Sequence, residues 1–380
     1  MPVYFDNNAT TRLDPRVLEA MLPYLSGPYG NASSLHRFGR AARDAVERAR
    51  EQLAMLAGCQ SREIIWTSGG TESDNLALKG VTEGALPTRV LYGATEHPAV
   101  LETAEALRAR GWGVETVAIG RDGLIDGPRF ERQLAAGPVR LVSLMRVNNE
   151  TGVIQDVARA VDPVHAAGGW LHVDAVQALG KIPLDFTALR ADLMSVSSHK
   201  IYGPKGIGAL IVRADVELAP LHHGGVQERG LRGGTENVAS IVGFGAAAEL
   251  ALQELDARAA HTQSLREQLE SGLRSLPGVQ IFADGAPKAP NTVQFAVAGY
   301  HGEALLMQLD RKGFAVSSGS ACSSGKGEPS HVLLGMGIAY EVADGAVRVS
   351  FGKDNSAAEV EQFLAALAAI TQAAMPAMQP

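Results

Sequence analysis

Lys200 closes the run Ser197-Ser198-His199-Lys200, and Asp174 stands one β-rich segment earlier in HVDA. A lysine presented from a fixed backbone can form a Schiff base with an aldehyde. A carboxylate facing the nitrogen of an aromatic ring keeps that nitrogen protonated, so that the ring accepts electrons. Ser197 and His199 add a hydroxyl and an imidazole suited to a phosphate, and Gly203 and Gly206 let the chain turn tightly past a flat ring. The chemistry these residues point to is pyridoxal 5'-phosphate held on Lys200. Read singly, Asp174 is equally a buried strand-end acid and Lys200 a surface lysine; the segment around them tips the reading.

A second signal is Thr67-Ser-Gly-Gly-Thr-Glu-Ser-Asp-Asn75, between the apolar run EIIWT and a helical stretch. Gly-Gly-Thr at a helix start presents free backbone N–H groups to an anion, so Thr71 and Glu72 are phosphate-cup candidates. An ordinary helix cap at Ser68 or Thr71 accounts for the same letters. His97, in ATEHPAV, falls where a strand ends and a helix begins, at the sheet edge expected to carry Thr71, Asn148, Asp174 and Lys200; its ring could stack on a cofactor and exchange protons. Of the two cysteines, Cys322 is embedded in SSGSACSSG and reads as an exposed thiol on a loop from Ser317 to Pro329, expected to be mobile. Cys59, after MLAG, reads as a buried helix-end residue.

Other motifs fail. Gly203-x-x-Gly206-x-Gly208 has the wrong order for a dinucleotide loop, and Gly319 to Lys326 lacks the spacing and the hydroxyl of a Walker loop. No HExxH is present, and His222-His223 lacks a third ligand, so no resident metal is expected; the one metal contact considered is a transient iron–sulfur contact through Cys322.

The elements that must position these residues alternate short β-rich runs with longer amphipathic ones: EIIWT, TRVLYG, VRLVSLM, WLHVDA, DLMSVS and GALIVR are strand candidates. Continuous apolar runs of this kind are buried on both faces of a parallel sheet. The fold class is therefore α/β, a large domain with a mostly parallel, doubly wound sheet that binds ligands at the carboxyl ends of its strands. Pro163 is expected to kink or divide the helix of VARAVDPVHAA. A long helical stretch from Thr235 contains the domain boundary, placed so that 16–255 form the large domain, while 1–15 and 256–380 form a smaller α+β domain carrying the Cys322 loop.

With 46% hydrophobic and 20% charged residues, the composition is that of a packed globular protein, and 380 residues suffice for two domains. A net charge of -7 with no basic run argues against nucleic-acid binding. No apolar stretch is expected to reach membrane-spanning length and the N-terminus lacks a signal-peptide plan, so a cytoplasmic location is expected.

Taken together, YFDNNATT, GNASSLHRFGRAAR, TSGGTESDN, EHPAV, NNETG, HVDAVQALGK, SSHKIYGPKGIG, GGVQERGLRGGTEN, SSGSACSSG and the RVSFG around Arg348 resemble the cysteine desulfurases of the NifS and IscS kind, within the class V aminotransferase group of fold-type I pyridoxal-phosphate enzymes. The resemblance covers nearly the whole chain. It implies that Lys200 binds the cofactor, Asp174 meets its pyridine nitrogen, His97 stacks on the ring and Gln177 contacts the phenolic oxygen. Thr71, Ser197 and His199 would hold the phosphate, Thr235 would reach the cofactor of a second subunit in a homodimer, and Asn148 and Arg348 would hold the carboxylate of L-cysteine. The implied reaction yields L-alanine and a persulfide on Cys322, passed to an iron–sulfur scaffold or a tRNA-thiolation protein. The nearest alternatives are a selenocysteine lyase, a small-amino-acid aminotransferase, or a non-catalytic sulfur-carrier scaffold. The Cys322 segment resembles the long-loop type.

Overall fold

The computed structural model describes residues 2–27, 29–318 and 328–374. Twelve strands run in chain order: β1 (Val3–Tyr4), β2 (Ile64–Thr67), β3 (Arg89–Gly93), β4 (Gly113–Val117), β5 (Val139–Met145), β6 (Trp170–Asp174), β7 (Leu193–Ser197), β8 (Gly208–Val212), β9 (Val279–Ile281), β10 (Thr292–Val297), β11 (Phe314–Ala315) and β12 (Ala346–Ser350). Every residue of β2, β7 and β8 is buried, as continuous apolar runs require when both faces of a sheet are covered.

These strands make a seven-stranded sheet in the order β2-β8-β7-β6-β5-β3-β4. The pairs from β4 through β7 are parallel, whereas β8 runs antiparallel to both β7 and β2. GALIVR therefore departs from the parallel expectation: only a short loop separates β7 from β8, too short for the crossover a parallel return needs. The register sets the site. Met145 pairs with Asp174, Asp174 with Ser195, and Ser197 with Gly208, which also faces Thr67, so the ends of β5, β6, β7 and β2 share one edge.

The smaller body pairs β12, β10 and β9 antiparallel, with β1 parallel to β11. The helix Val238–Arg274 joins the two bodies: Ala251 belongs to the core under the large sheet and Leu265 to the core of the small body. Likewise Phe5 packs in the small core and Val17 in the large one. The expectation that no apolar stretch reaches membrane-spanning length is corrected here. Val238–Arg274 is long and apolar enough to cross a membrane by length and composition, with half of its most apolar window buried inside the fold, where it packs along the helices Pro15–Ser26 and Arg37–Ala57.

Division at Pro163, one of the two outcomes expected there, does not occur: the helix Ala158–Ala166 runs through it. The proline forfeits one N–H bond near the helix end, where Val161 and Val164 are fully buried and hold the segment in place.

Candidate active site

A cavity of about 340 Å³ opens at the carboxyl edge of the large sheet, where the small body closes over it. That size suits a small ligand held by a few convergent polar groups. Asp174, the last residue of β6, is 3% exposed on its wall and accepts the Val176 N–H at 2.9 Å. Lys200 follows β7 in the turn Ser198–Lys200, its Nζ donating to the carbonyls of Asn8 (2.5 Å) and Ala9 (2.8 Å). Gln177 lines the same space; its Nε2 donates to the Asn8 carbonyl at 2.9 Å and its Oε1 accepts from Lys181 Nζ.

One end of the cavity is built for an anion. The helix Gly70–Thr82 begins there, and its first helical bond runs from Ser73 N–H to Gly69 O at 3.1 Å, so the amides of Gly70, Thr71 and Glu72 have no intrahelical acceptor. A Cβ on Gly70 would lie 2.9 Å from Val176 Cγ2, so only glycine lets the helix start come this close to β6. Ser197 Oγ is buried with no hydrogen-bond partner among the described residues, and His199 stands beside it with Nδ1 3.1 Å from Thr10 Oγ1. An orphaned hydroxyl, free amides and a backbone cradle fit the phosphate of pyridoxal phosphate, with Asp174 available to its ring nitrogen and Lys200 to its aldehyde.

The wall between these ends carries His97 and Arg348. His97 caps the helix Pro98–Arg108, Nδ1 accepting the Ala99 N–H at 3.1 Å, so the neutral ring bears its proton on Nε2. Burial, then the Lys200 charge and His331, lower its pKa to about 4. His199 is likewise lowered to about 4, first by burial and then by Lys200. Asp174 is pushed up to about 6 by burial, against the Val176 N–H and Lys200, which pull it down. Arg348, 2% exposed on β12, donates to Asn149 O (3.0 Å) and to the Asp6 carboxylate (2.6 Å), which fixes a planar guanidinium at the cavity.

One expected residue is corrected, and a second, Glu72, offers the cup its main-chain amide alone. Asn148 is not among the residues lining the cavity. Its Oδ1 accepts from Glu150 N, Thr151 N and Thr151 Oγ1 while Nδ2 donates to Thr95 O, so the side chain is consumed in shaping the NNETG turn, and Asn149 lines the cavity in its place. The Glu72 side chain is not in the cup either: its carboxylate accepts the Ser68 N–H at 2.8 Å and pairs with Arg232 at 3.0 Å. A carboxylate there would repel a phosphate, and the pairing with Arg232 turns it away from the cup.

Thr71, His97, Asp174, Gln177, Ser197, His199, Lys200 and Arg348 do meet in this cavity. Thr235 lies outside it, exposed beside Glu236 and Asn237. Cys322, with the rest of 319–327, lies outside the described residues, and so does most of the loop expected to be mobile. Among the described residues no group of three or more His, Cys, Asp or Glu could hold a metal ion. Sequence reasoning missed Asn8, Asp74, Asn149 and His331, all on the cavity wall. A signal existed for Asn8 and Asn149, since each is the second member of an Asn-Asn pair; which member faces a site depends on turn geometry that letters do not carry.

Residues 3–363 match the family model described as aminotransferase class-V. A cysteine desulfurase of Gluconacetobacter diazotrophicus is 44% identical, the match covering 95% of this chain and 91% of the relative. A solved structure described as a NifS-like protein superposes with a TM-score of 0.91 at 39% identity, over 98% of this chain and 100% of that one. Another, described as SspA in complex with cysteine, has a TM-score of 0.82 at 31% identity, over 92% of this chain and 99% of that one. The chain belongs to the class-V aminotransferase family.

Proposed function

We infer that the chain is a pyridoxal-phosphate-dependent cysteine desulfurase. The observation that carries this is the convergence of Asp174, Lys200, the Ser197–His199 anion cup and the Arg348 guanidinium on one cavity. Bound there, pyridoxal phosphate supplies an electron sink for the α carbon of an amino acid. Lys200 would hold the cofactor aldehyde, and its amine would take the substrate's α proton. Asp174 would keep the ring nitrogen protonated, Gln177 would donate to the ring oxygen, and the neutral His97 carries its donor on Nε2.

Arg348 and Asn149 hold the substrate carboxylate. Cys322 takes the sulfur: the Cβ–S bond of L-cysteine breaks, an S–S bond forms on the enzyme, and the displaced carbon gains a proton and leaves as L-alanine. That balance oxidises one enzyme thiol to a persulfide and reduces one carbon, with no outside oxidant. A relative described as being in complex with cysteine supports the substrate.

A homodimer is part of this proposal. Tyr29 (87% exposed), Leu35 (81%) and Val226 (86%) are large apolar side chains left in water, and Val226 and Glu236 line one depression close to Thr235. The persulfide sulfur is proposed to go, in the cytoplasm, to an iron–sulfur scaffold or a tRNA-thiolation protein. The test is incubation with sulfur-labelled L-cysteine, alone and with each class of acceptor. Alanine equal to bound sulfur supports the reaction; alanine-free turnover to pyruvate or a keto acid overturns it. The acceptor that carries the label decides the pathway.

A further inference from the structure

Asp74 lies on the helix Gly70–Thr82, 2% exposed on the cavity wall, and its Oδ1 has no hydrogen-bond partner among the described residues. Two other buried carboxyls share this interior: Asp174 (3% exposed) and Glu96 (1%). Between them His172, fully buried, bridges two hydroxyls, Nδ1 to Ser143 Oγ at 2.8 Å and Nε2 to Ser195 Oγ at 2.9 Å. Ser143 reaches Glu96 Oε2 at 3.4 Å, and Asp74 Oδ1 lies 3.6 Å from His172 Nε2. Hydrogen bonds thus join Glu96, Ser143, His172 and Ser195 in a buried polar chain, with Asp74 close to its imidazole.

Among the described residues the one ionisable partner close to Asp74 is His172, at 3.6 Å. The cation that acts on Asp174 is Lys200, whose amine is the group that would hold the cofactor, and His172 is kept neutral by burial. The cavity wall also carries His97, His331, Glu150 and Arg348, and Glu72 on the same helix as Asp74 has its carboxylate turned to Arg232. Several like charges cannot all be ionised in such an interior. Of Asp74 and Asp174, the latter has the better claim to the charge: it accepts the Val176 N–H and interacts with Lys200, while Glu96 accepts the Met145 N–H at 2.5 Å. Burial and then the Asp174 charge favour the neutral form of Asp74, outweighing the pull of the Ser195 hydroxyl toward the ionised form.

We propose that Asp74 is a positioning residue for Asp174: it remains a protonated carboxylic acid, so that the single negative charge beneath the cofactor ring sits on Asp174. This rests on the cofactor assignment above, yet its first readout needs no cofactor. In the cofactor-free protein at neutral pH, infrared difference spectra of Asp74→Asn against wild type should show the loss of a protonated-carboxyl stretch, and Asp174→Asn should show the loss of a carboxylate band instead.

In the loaded protein, Asp74→Asn, whose amide copies a neutral acid, should retain cofactor within about twofold of wild type. It should also keep the pH titration of the lysine-bound cofactor's absorbance. Asp74→Leu should displace that titration, and Asp174→Asn should weaken retention on the order of a hundredfold, as loss of a buried charge contact allows. The proposal is overturned if Asp74→Asn removes a carboxylate band, if it releases cofactor as Asp174→Asn does, or if Asp74→Leu leaves the titration in place. Failure of wild type to bind pyridoxal phosphate would instead sink the cofactor assignment and leave the infrared result standing on its own.

Discussion

The Nζ of Lys200 donates to the main-chain carbonyl of Asn8 at 2.5 Å, across a separation of 192 residues. Asn8 is 2% exposed, and its side chain holds both bodies: Oδ1 accepts from Lys181 (2.8 Å) and Asn291 (3.0 Å), and Nδ2 donates to Asn149 O (3.0 Å) and Thr292 Oγ1 (2.9 Å). The N-terminal segment therefore aims the reactive amine and fastens the small body over the cavity.

Lys200→Ala should remove the visible absorbance of the lysine-bound cofactor while the chain still folds, because the truncated side chain leaves only main-chain carbonyls beside a solvent-open cavity. Absorption and circular dichroism check both halves. A borohydride-reducible lysine adduct surviving in the variant would place the cofactor elsewhere.

The Asn-Asn pair makes a two-sided prediction. Asn149→Ala should cost activity, about tenfold or more in kcat/KM, with an unchanged melting temperature. Asn148→Ala deletes four hydrogen bonds in a buried turn and leaves main-chain groups unsatisfied, so it should cost stability of about 2 kcal/mol or more, read by denaturant titration.

Much of the site was legible because its chemistry is local in sequence: Ser197, His199 and Lys200 fall within four residues, and Thr71 and His97 follow strands that read clearly as apolar runs. What stayed hidden depended on side-chain direction or on distance along the chain. Asn148 and Asn149 differ only in which way a turn presents them. Glu72 sits at a helix start that binds an anion, but Arg232, 160 residues away, draws off its carboxylate. Asp74 reads as a polar letter in TESDN, and only the packing of its helix against β6 and β7 makes it an interior acid. In the fold, Pro163 does not divide its helix because local propensity yielded to the burial of Val161 and Val164.

Arg348→Lys should raise KM for L-cysteine about a hundredfold with the cofactor absorbance intact. A lysine cannot keep the Asn149 and Asp6 contacts and still present a planar fork to a carboxylate. Steady-state kinetics against L-cysteine and its amide separates the effects, since the amide should be nearly indifferent to the change.

Acid–base linkage in the cofactor-free protein follows from Asp174. Its pKa rises from 3.8 to about 6 on folding, so the folded state binds more protons than the unfolded state between those values. Stability from this group is present below about pH 4 and is lost as pH rises through about 6. Asp174→Asn, which does not titrate, should therefore gain on wild type by on the order of 2 kcal/mol between pH 4 and 7. The imidazoles of His97 and His199 act in the opposite sense: lowered from 6.5 to about 4, they withdraw stability as pH falls from about 6.5 to 4. In the Asn variant that loss should appear as a steeper acid slope, visible in thermal melts across this range.

The two thiols should separate completely. Cys59 follows the helix Arg37–Ala57, half-buried against the large core, and burial, helped by the Glu63 and Asp185 charges, pushes its thiol up to about 12. At neutral pH it is a protonated sulfur with no reason to attack anything, because the thiolate is the nucleophile. Cys59→Ser should leave alanine release from L-cysteine unchanged and cost at most modest stability, since a hydroxyl replaces a sulfur packed on an apolar surface. Cys322→Ser should still bind L-cysteine, as the change in cofactor absorbance will report, yet release no alanine and acquire no sulfur by mass spectrometry of the intact chain. Wild type should gain the mass of one sulfur atom, located on Cys322 by peptide mapping after alkylation. If the added sulfur maps to Cys59, or if Cys59→Ser is the inactive variant, the nucleophile has been misassigned and the chemistry must reach the helix end instead of the cavity.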